Sequence, residues 1–290
     1  MSAPPCTSPR RLAPLAAAAL AASALCATPA SADGQGRGHG DFRVGSIEPS
    51  QEGAVVLTGT LRDFQRSHPD MQRRQGPAGL TTGMVAERLS ADGKPVLSAF
   101  ARENPGRFKV QDAASFGQWF RDVEGVNQSA QLSLQLEEHP SRPGVFFFAR
   151  DADSRGSNRY FFPADGILWN DLQKTHTGTH NYYFTFELQT AFTYTARADR
   201  EDPSQDLVFE FYGDDDVWVF VNGVLAVDLG GIHRQRRGAV NLDAERERLG
   251  LEEGGNYNLK LFFAERFVTE SNFRMDTTLR LRGQRPIGFD

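Results

Sequence analysis

Asp214, Asp215 and Asp216 stand in succession between Gly213 and the strongly β-forming run Val217-Trp218-Val219-Phe220-Val221. Three like charges side by side repel one another, and a strand that must be at least half buried leaves little water to screen them. A counter-cation relieves that conflict, and hard carboxylate oxygens suit Ca²⁺ better than zinc or copper. A solvated acidic turn is the plainer alternative.

Other residues of suitable type make no assembled catalytic site. The chain has no Gly-x-Ser-x-Gly elbow, phosphate loop or His-Glu-x-x-His helix. His176 and His180 have the four-residue spacing of a helical metal pair, but Thr177-Gly178-Thr179 between them reads as a loop. Asp151 and Asp153 followed by Gly156 begin like a calcium loop, yet Arg155 and Phe162 stand where oxygen ligands belong. Glu187, Glu210 and Glu265 fall on predicted strands. For glycoside hydrolysis two such carboxylates would have to face each other across a sugar, about 5 to 9 Å apart. With no nucleophile, acid and base brought together, the sequence reads as a binding module and not an enzyme, with a glycoside hydrolase as the catalytic alternative.

The elements that must position the acidic run are strands. Asn222-Gly223 is the dipeptide that most favours a type I′ hairpin, and it joins the run to a second strand within Val224–His233. Period-two patterns recur at Leu132, Leu134 and Leu136, at Tyr182, Phe184, Phe186 and Leu188, at Leu259, Leu261 and Phe263, and from Phe273 to Leu281. Turn signals separate them, which predicts antiparallel sheets in a sandwich. Two short helices are expected, near 112–123 with Trp119 and Phe120 inward and near 243–249. The 22 Phe supply bulk for a large core, and the formal charge of -5 is mild. The one basic cluster, Arg234, Arg236 and Arg237, reads as a solvated loop, so no nucleic-acid surface is expected.

Residues 1–32 have the parts of a secretory signal: Arg10-Arg11, an Ala- and Leu-rich stretch from Leu12 to Leu25, then Ala30-Ser31-Ala32. A Gly-rich lead-in over 33–48 follows. Cys6 and Cys26 both fall inside the signal, so the mature chain is expected to lack disulfides. Beyond it no apolar run approaches the ~20 residues that span a bilayer. The expected location is secreted or otherwise extracytoplasmic.

The stretch from Phe211 to His233 resembles the signature of fibro-slime domains, in the wider PA14-like β-sandwich group. Further blocks match in order: Leu61-Arg62-Asp63-Phe64 with His68-Pro69-Asp70, Phe161-Phe162-Pro163, His180-Asn181, and Phe262 to Arg266 with Ser271-Asn272-Phe273. The resemblance implies an all-β, PA14-like antiparallel β-sandwich over 49–290, with its core at about 130–285, an N-terminal extension and one or two short helices. In PA14-like lectins two consecutive Asp residues, often joined by a cis peptide, hold a Ca²⁺ that chelates sugar hydroxyls. Counting back from Asn222-Gly223 places that pair on Asp214 and Asp215, with Asp216 where the broader group usually has Gly. Trp169 and Trp218 are the candidates for stacking on a sugar. His180, Asn181 and His233 are the polar residues the resemblance brings near the acidic hairpin. The implied partner is a glycan or polysaccharide. The competing reading is a matrix or adhesion protein with a purely structural calcium and a protein partner.

The expected signal cleavage follows Ala32. Mass spectrometry of exported protein should find Asp33 at the N-terminus, and a full-length cytoplasmic product or a lipid on Cys26 would contradict it.

Overall fold

The computed structural model describes residues 1, 42–44, 54–71, 79–151, 153 and 159–283. The expected signal, most of the lead-in, both cysteines, Arg155 and Gly156 lie outside the described residues. Contacts divide the chain into 1–37 and 38–290, and the second unit is the one described below.

Its strands in chain order are β1 (Phe42–Val44), β2 (Val55–Phe64), β3 (Asn127–Glu138), β4 (Phe146–Arg150), β5 (Gln173–Lys174), β6 (Thr179–His180), β7 (Phe184–Thr193), β8 (Val208–Gly213), β9 (Asp216–Val221), β10 (Val224–Leu229), β11 (Arg236–Asn241), β12 (Asn256–Glu265) and β13 (Phe273–Thr277). The helices are single turns: α1 (Ala99–Glu103), α2 (Ala113–Phe116) and α3 (Arg246–Leu249). The pairing order is β10-β9-β12-β7-β2-β3-β4-β13-β8-β11, with β1 on β3. Every pairing is antiparallel, as the alternation predicts. Between β3 and β4 the ladder is reduced to Glu137 opposite Phe147 and Glu138 opposite Phe146, and there the sheet folds over into two layers. β10-β9-β12-β7-β2-β3 form one layer and β4-β13-β8-β11 the other.

The layers enclose a core of aromatic and branched side chains. Phe263 of one layer meets Phe273 of the other with ring centres 5.3 Å apart, and Phe211 meets Phe273 at 4.9 Å. Such edge-on pairs add about 0.5–1.5 kcal/mol each beyond the area they bury. At the open edges Gly238 of β11 backs onto β10, where a Cβ would stand 2.5 Å from Val227.

A second core covers the outer face of the first layer. In β9, Val217, Val219 and Val221 point between the layers, while Trp218 and Phe220 point outward. Those outward residues are buried by Met84, Val85, Leu97, Phe108, Phe116, Trp119 and Phe120 of the segment between β2 and β3. This segment also covers the free edge of the layer. Gly79 and Thr81 donate backbone hydrogen bonds to Ile232 and Gly230, and Leu225 of β10 donates to Glu87. The helix expected at 112–123 is realised only as α2, capped by Asp112, whose side chain accepts from the Ala114 and Ser115 amides. The Asn222-Gly223 turn is as predicted, with φ of 50° and 73° and Val221 opposite Val224.

Trp218 is wholly buried, with its indole N–H donating to Asp228 Oδ1 at 3.1 Å. Trp218→Ala should cost about 3–5 kcal/mol by leaving a large cavity in the second core. Urea unfolding midpoints measure this, and a loss below about 1 kcal/mol would mean that the covering segment is not held by this packing.

Candidate functional site

Three chain crossings between the two layers lie side by side at one end of the sandwich. The first is Asp214-Asp215, linking β8 to β9. The second is 230–235, linking β10 to β11, and the third is 266–272, linking β12 to β13. The register brings them together, since Gly213 is opposite both Arg236 and Phe273, and Asp216 is opposite Ala264. Gly213 is required at this point because a Cβ would stand 2.6 Å from the Asn272 carbonyl oxygen.

A cavity of about 480 Å³ opens over the crossings. Asp214 and Asp215 are on the first of them, and His233 and Arg234 on the second. Phe267, Thr269 and Glu270 on the third complete the walls, with His176 from the turn between β5 and β6. Despite lining the cavity, the two aspartates are only 3% and 4% exposed. The peptide bond between them is cis.

Each acidic side chain has a defined set of partners. Asp214 accepts from the Asn272 backbone amide through Oδ1 and from its side-chain amide through Oδ2. Asp215 Oδ2 accepts from the Arg266 amide at 3.2 Å. Glu265, the last residue of β12, accepts from the Phe267 amide through Oε1. Its Oε2 and the Ser271 hydroxyl are both buried without a well-formed hydrogen bond, and that hydroxyl is the one side-chain donor close enough to favour the charged carboxylate. Asp216 belongs to a different arrangement. It is wholly buried, accepts from Gly231 N–H at 2.6 Å and pairs with Arg266 Nε at 2.6 Å. Both its oxygens are therefore committed, and it does not line the cavity as the sequence reading expected of a ligand-binding residue.

Burial is the main cause that pushes the Asp214 carboxyl up to about 7, against the pull of the two Asn272 donors. Asp215 is held well above the ordinary carboxylate value by burial and then by the charges of Asp214 and Asp216, with Arg266 opposing. Glu265 is raised in the same way by burial and by Asp215 and Asp214. Lys109, which also feels these charges, is pushed below the usual lysine value by burial and by Arg266. Protonation and a bound cation are the two ways to relieve such a cluster.

The donor chemistry fits a hard cation. Among the described residues no group of three or more His, Cys, Asp or Glu side chains is already gathered as a cage. Calcium does not need one, because it takes backbone and amide oxygens and water alongside carboxylates. The buried Glu265 Oε2, which makes no well-formed hydrogen bond although it stands beside two aspartates, is the observation that supports the fit. Asp214 and Asp215 would be the direct ligands, and Asn272 orients the first of them.

The other expected ligand residues are placed elsewhere or already engaged. Trp218 is sealed in the second core and offers no face to a sugar. Trp169 is half-buried, gives its backbone N–H to Asp63 Oδ2 at 2.8 Å and is not among the residues lining the cavity. His180 pairs with Asp165 at 2.6 Å and stacks on Phe162 at 3.9 Å. Asn181 is buried and donates to Asp63 Oδ1 at 2.7 Å. His233 does reach the cavity, but its ring nitrogens face the carbonyls of Arg234 and Leu229. Glu187 is tied to Arg62 and Lys94, and Glu210 to Arg237, on different layers. Sequence reasoning missed Asn272 as a partner of Asp214, Glu265 as part of the acidic cluster, and Phe267 as the aromatic residue of the cavity. The block Phe262–Arg266 with Ser271–Phe273 was the available signal.

Two antiparallel layers with paired aspartates at a layer crossing are what the resemblance to PA14-like β-sandwiches implies. Residues 170–289 match the PA14 domain family model, so the chain carries a PA14 domain there. Over 249 residues it is 32% identical to Protein psiQ of Dictyostelium discoideum, covering 83% of this chain and 23% of that protein. With Protein psiC of the same organism identity is 30% over 241 residues, covering 79% of this chain and 42% of that protein. The chain thus spans less than half the length of these relatives. Among solved structures, the GH31 alpha-xylosidase from Xanthomonas citri superposes with a TM-score of 0.26 at 10% identity, over 86% of this chain and 25% of that one, too loosely to bear on function.

A raised folded-state carboxyl contributes stability that is present below its unfolded value near 4 and is lost as pH rises through its folded value. For Asp214 that loss runs from about 4 and is complete just above its folded value of about 7, and Asp63, pushed by burial to about 6, acts in the same direction. Calcium-stripped protein should therefore melt at progressively lower temperature from pH 5 to pH 8, and added calcium should restore most at the alkaline end. Thermal melts across that range test it, and a calcium increment that is largest at pH 5 would contradict it.

Proposed function

We propose that this chain is an extracellular binding module that holds Ca²⁺ at Asp214 and Asp215 and binds a glycan in the cavity above them. The observation that carries the reading is the pair of buried carboxylates, Asp214 and Asp215, lining an open cavity of about 480 Å³, with the buried Glu265 carboxylate behind them. An empty hydrophobic crevice would call for a different ligand; this one pairs acidic ligands with a sugar-sized volume. When bound, calcium would supply open coordination positions to vicinal hydroxyls. Phe267 offers the apolar ring that the sequence reading sought in the tryptophans, and Thr269 a hydroxyl. Asn272 holds the Asp214 carboxylate in place through both of its donors. The match to the PA14 domain supports a binding role, and no helix among the described residues is long and apolar enough to cross a membrane.

Saturating calcium should raise the melting temperature, by mass action worth about 2.7 kcal/mol at a hundredfold excess over its dissociation constant. Asp214→Asn with Asp215→Asn should abolish that increment. A glycan array with and without calcium, repeated on Phe267→Ala, should give a calcium-dependent signal that the phenylalanine change weakens. A calcium shift with no glycan signal would favour the adhesion module whose calcium is structural and whose partner is a protein.

A further inference from the structure

The basic cluster that reads as a solvated loop in the sequence stands at the cavity instead. Arg234 lies on the second crossing, lines the cavity and is exposed. Among the described residues it forms no ion pair, whereas Arg237 three positions on is engaged by Glu210. The other carboxylate of the lining besides the aspartate pair is Glu270, and its Oε2 already accepts from the Asn272 side-chain amide at 3.4 Å. An unpaired guanidinium at the rim of a cation site is an electrostatic mismatch for a neutral ligand, because two positive centres then face one cavity. It becomes complementary for a ligand that brings its own negative group. A guanidinium forms its strongest contacts with planar or tetrahedral oxyanions, through paired N–H donors.

We infer that the ligand class of this site is an anionic saccharide, with hydroxyls toward Asp214 and Asp215 through calcium and a carboxylate or sulfate on Arg234. The inference rests on the calcium-dependent glycan reading above and narrows it. Arg234 is then the residue that sets specificity, and Phe267 packs against the ring whatever its charge. Because the guanidinium is exposed, its contribution is screened by salt.

The test pairs neutral and acidic monosaccharides of the same configuration: glucose with glucuronate, galactose with galacturonate and with galactose 6-sulfate, mannose with mannuronate. Binding is measured by ligand-observed NMR in calcium, at low and high salt, with the unaltered chain, Arg234→Gln and Arg236→Gln. Arg236 is exposed on β11 beside Gly213 but does not line the cavity, so it controls for general charge. At least one acidic sugar should bind about tenfold tighter than its neutral partner, the scale of one charge-assisted hydrogen bond. Arg234→Gln should remove that preference and keep the calcium increment in melting temperature, while Arg236→Gln should keep both. The galacturonate and sulfate arms distinguish the two anions. Equal binding of neutral and acidic sugars, a preference that survives Arg234→Gln, equal losses in both variants, or no binding by any sugar overturns the inference. If the calcium increment persists in those cases, the calcium site itself stands. If calcium gives no increment in the unaltered chain, the underlying reading fails along with this one.

Discussion

The ion pair between Arg266 and Asp216 is the joint on which this architecture depends. Both side chains are wholly buried, with Nε and Oδ2 2.6 Å apart. Removing either partner would leave a charge without compensation in the interior, a loss of about 3–5 kcal/mol. The guanidinium also donates to the Lys109 carbonyl at 2.9 Å and lies over the Trp119 ring at 4.7 Å. Asp216 reaches in the other direction to the Gly231 amide. One charge pair therefore joins all three crossings to the covering segment, and it fixes the aspartates next to it in sequence.

This arrangement explains how one short acidic run serves two purposes. Asp216 faces the interior and is neutralised by Arg266, so it is a structural anion. Asp214 and Asp215 precede it on the crossing itself, where the neighbouring β12–β13 crossing supplies only amide donors. The sandwich thus meets the charge of one carboxylate from within and leaves its two predecessors beside open volume. The rigid ladders on either side, especially Gly213 between Arg236 and Phe273, keep the three loops in a common frame. Sites held by packed strands are more exact than sites on free loops.

Much of the fold is legible in the sequence because it rests on local signals. Period two marks β7 and β12, and Asn222-Gly223 marks the β9–β10 turn through the positive φ that both residues adopt. What the sequence hides is which face of a strand meets which layer. Val217 to Val221 look like a strand with one wet side, and only the covering segment shows that Trp218 and Phe220 close a second core. The site is legible in part for the same reason. Three adjacent aspartates announce buried charge, but their division of labour depends on Arg266, fifty residues later in the chain. Asn272 and Glu265 come near the aspartates only through the β12–β13 crossing, a distance in sequence that no short motif spans. The helix near 112–123 shrinks to one turn because Trp119 and Phe120 are taken up by tertiary packing, which outweighs helix propensity.

The strip of chain that lies along β10 has a further consequence, for association between molecules. β10 ends its layer, and Thr81 and Glu87 occupy backbone groups along it and just beyond it that would otherwise face solvent, with Arg88 bridged to Val224. An uncovered edge strand is a template on which another chain can add a strand. Residues 79–89 therefore act as a selvedge that finishes the woven edge of the sheet. A molecule clipped within that strip would gain an adhesive border along the side of its sheet.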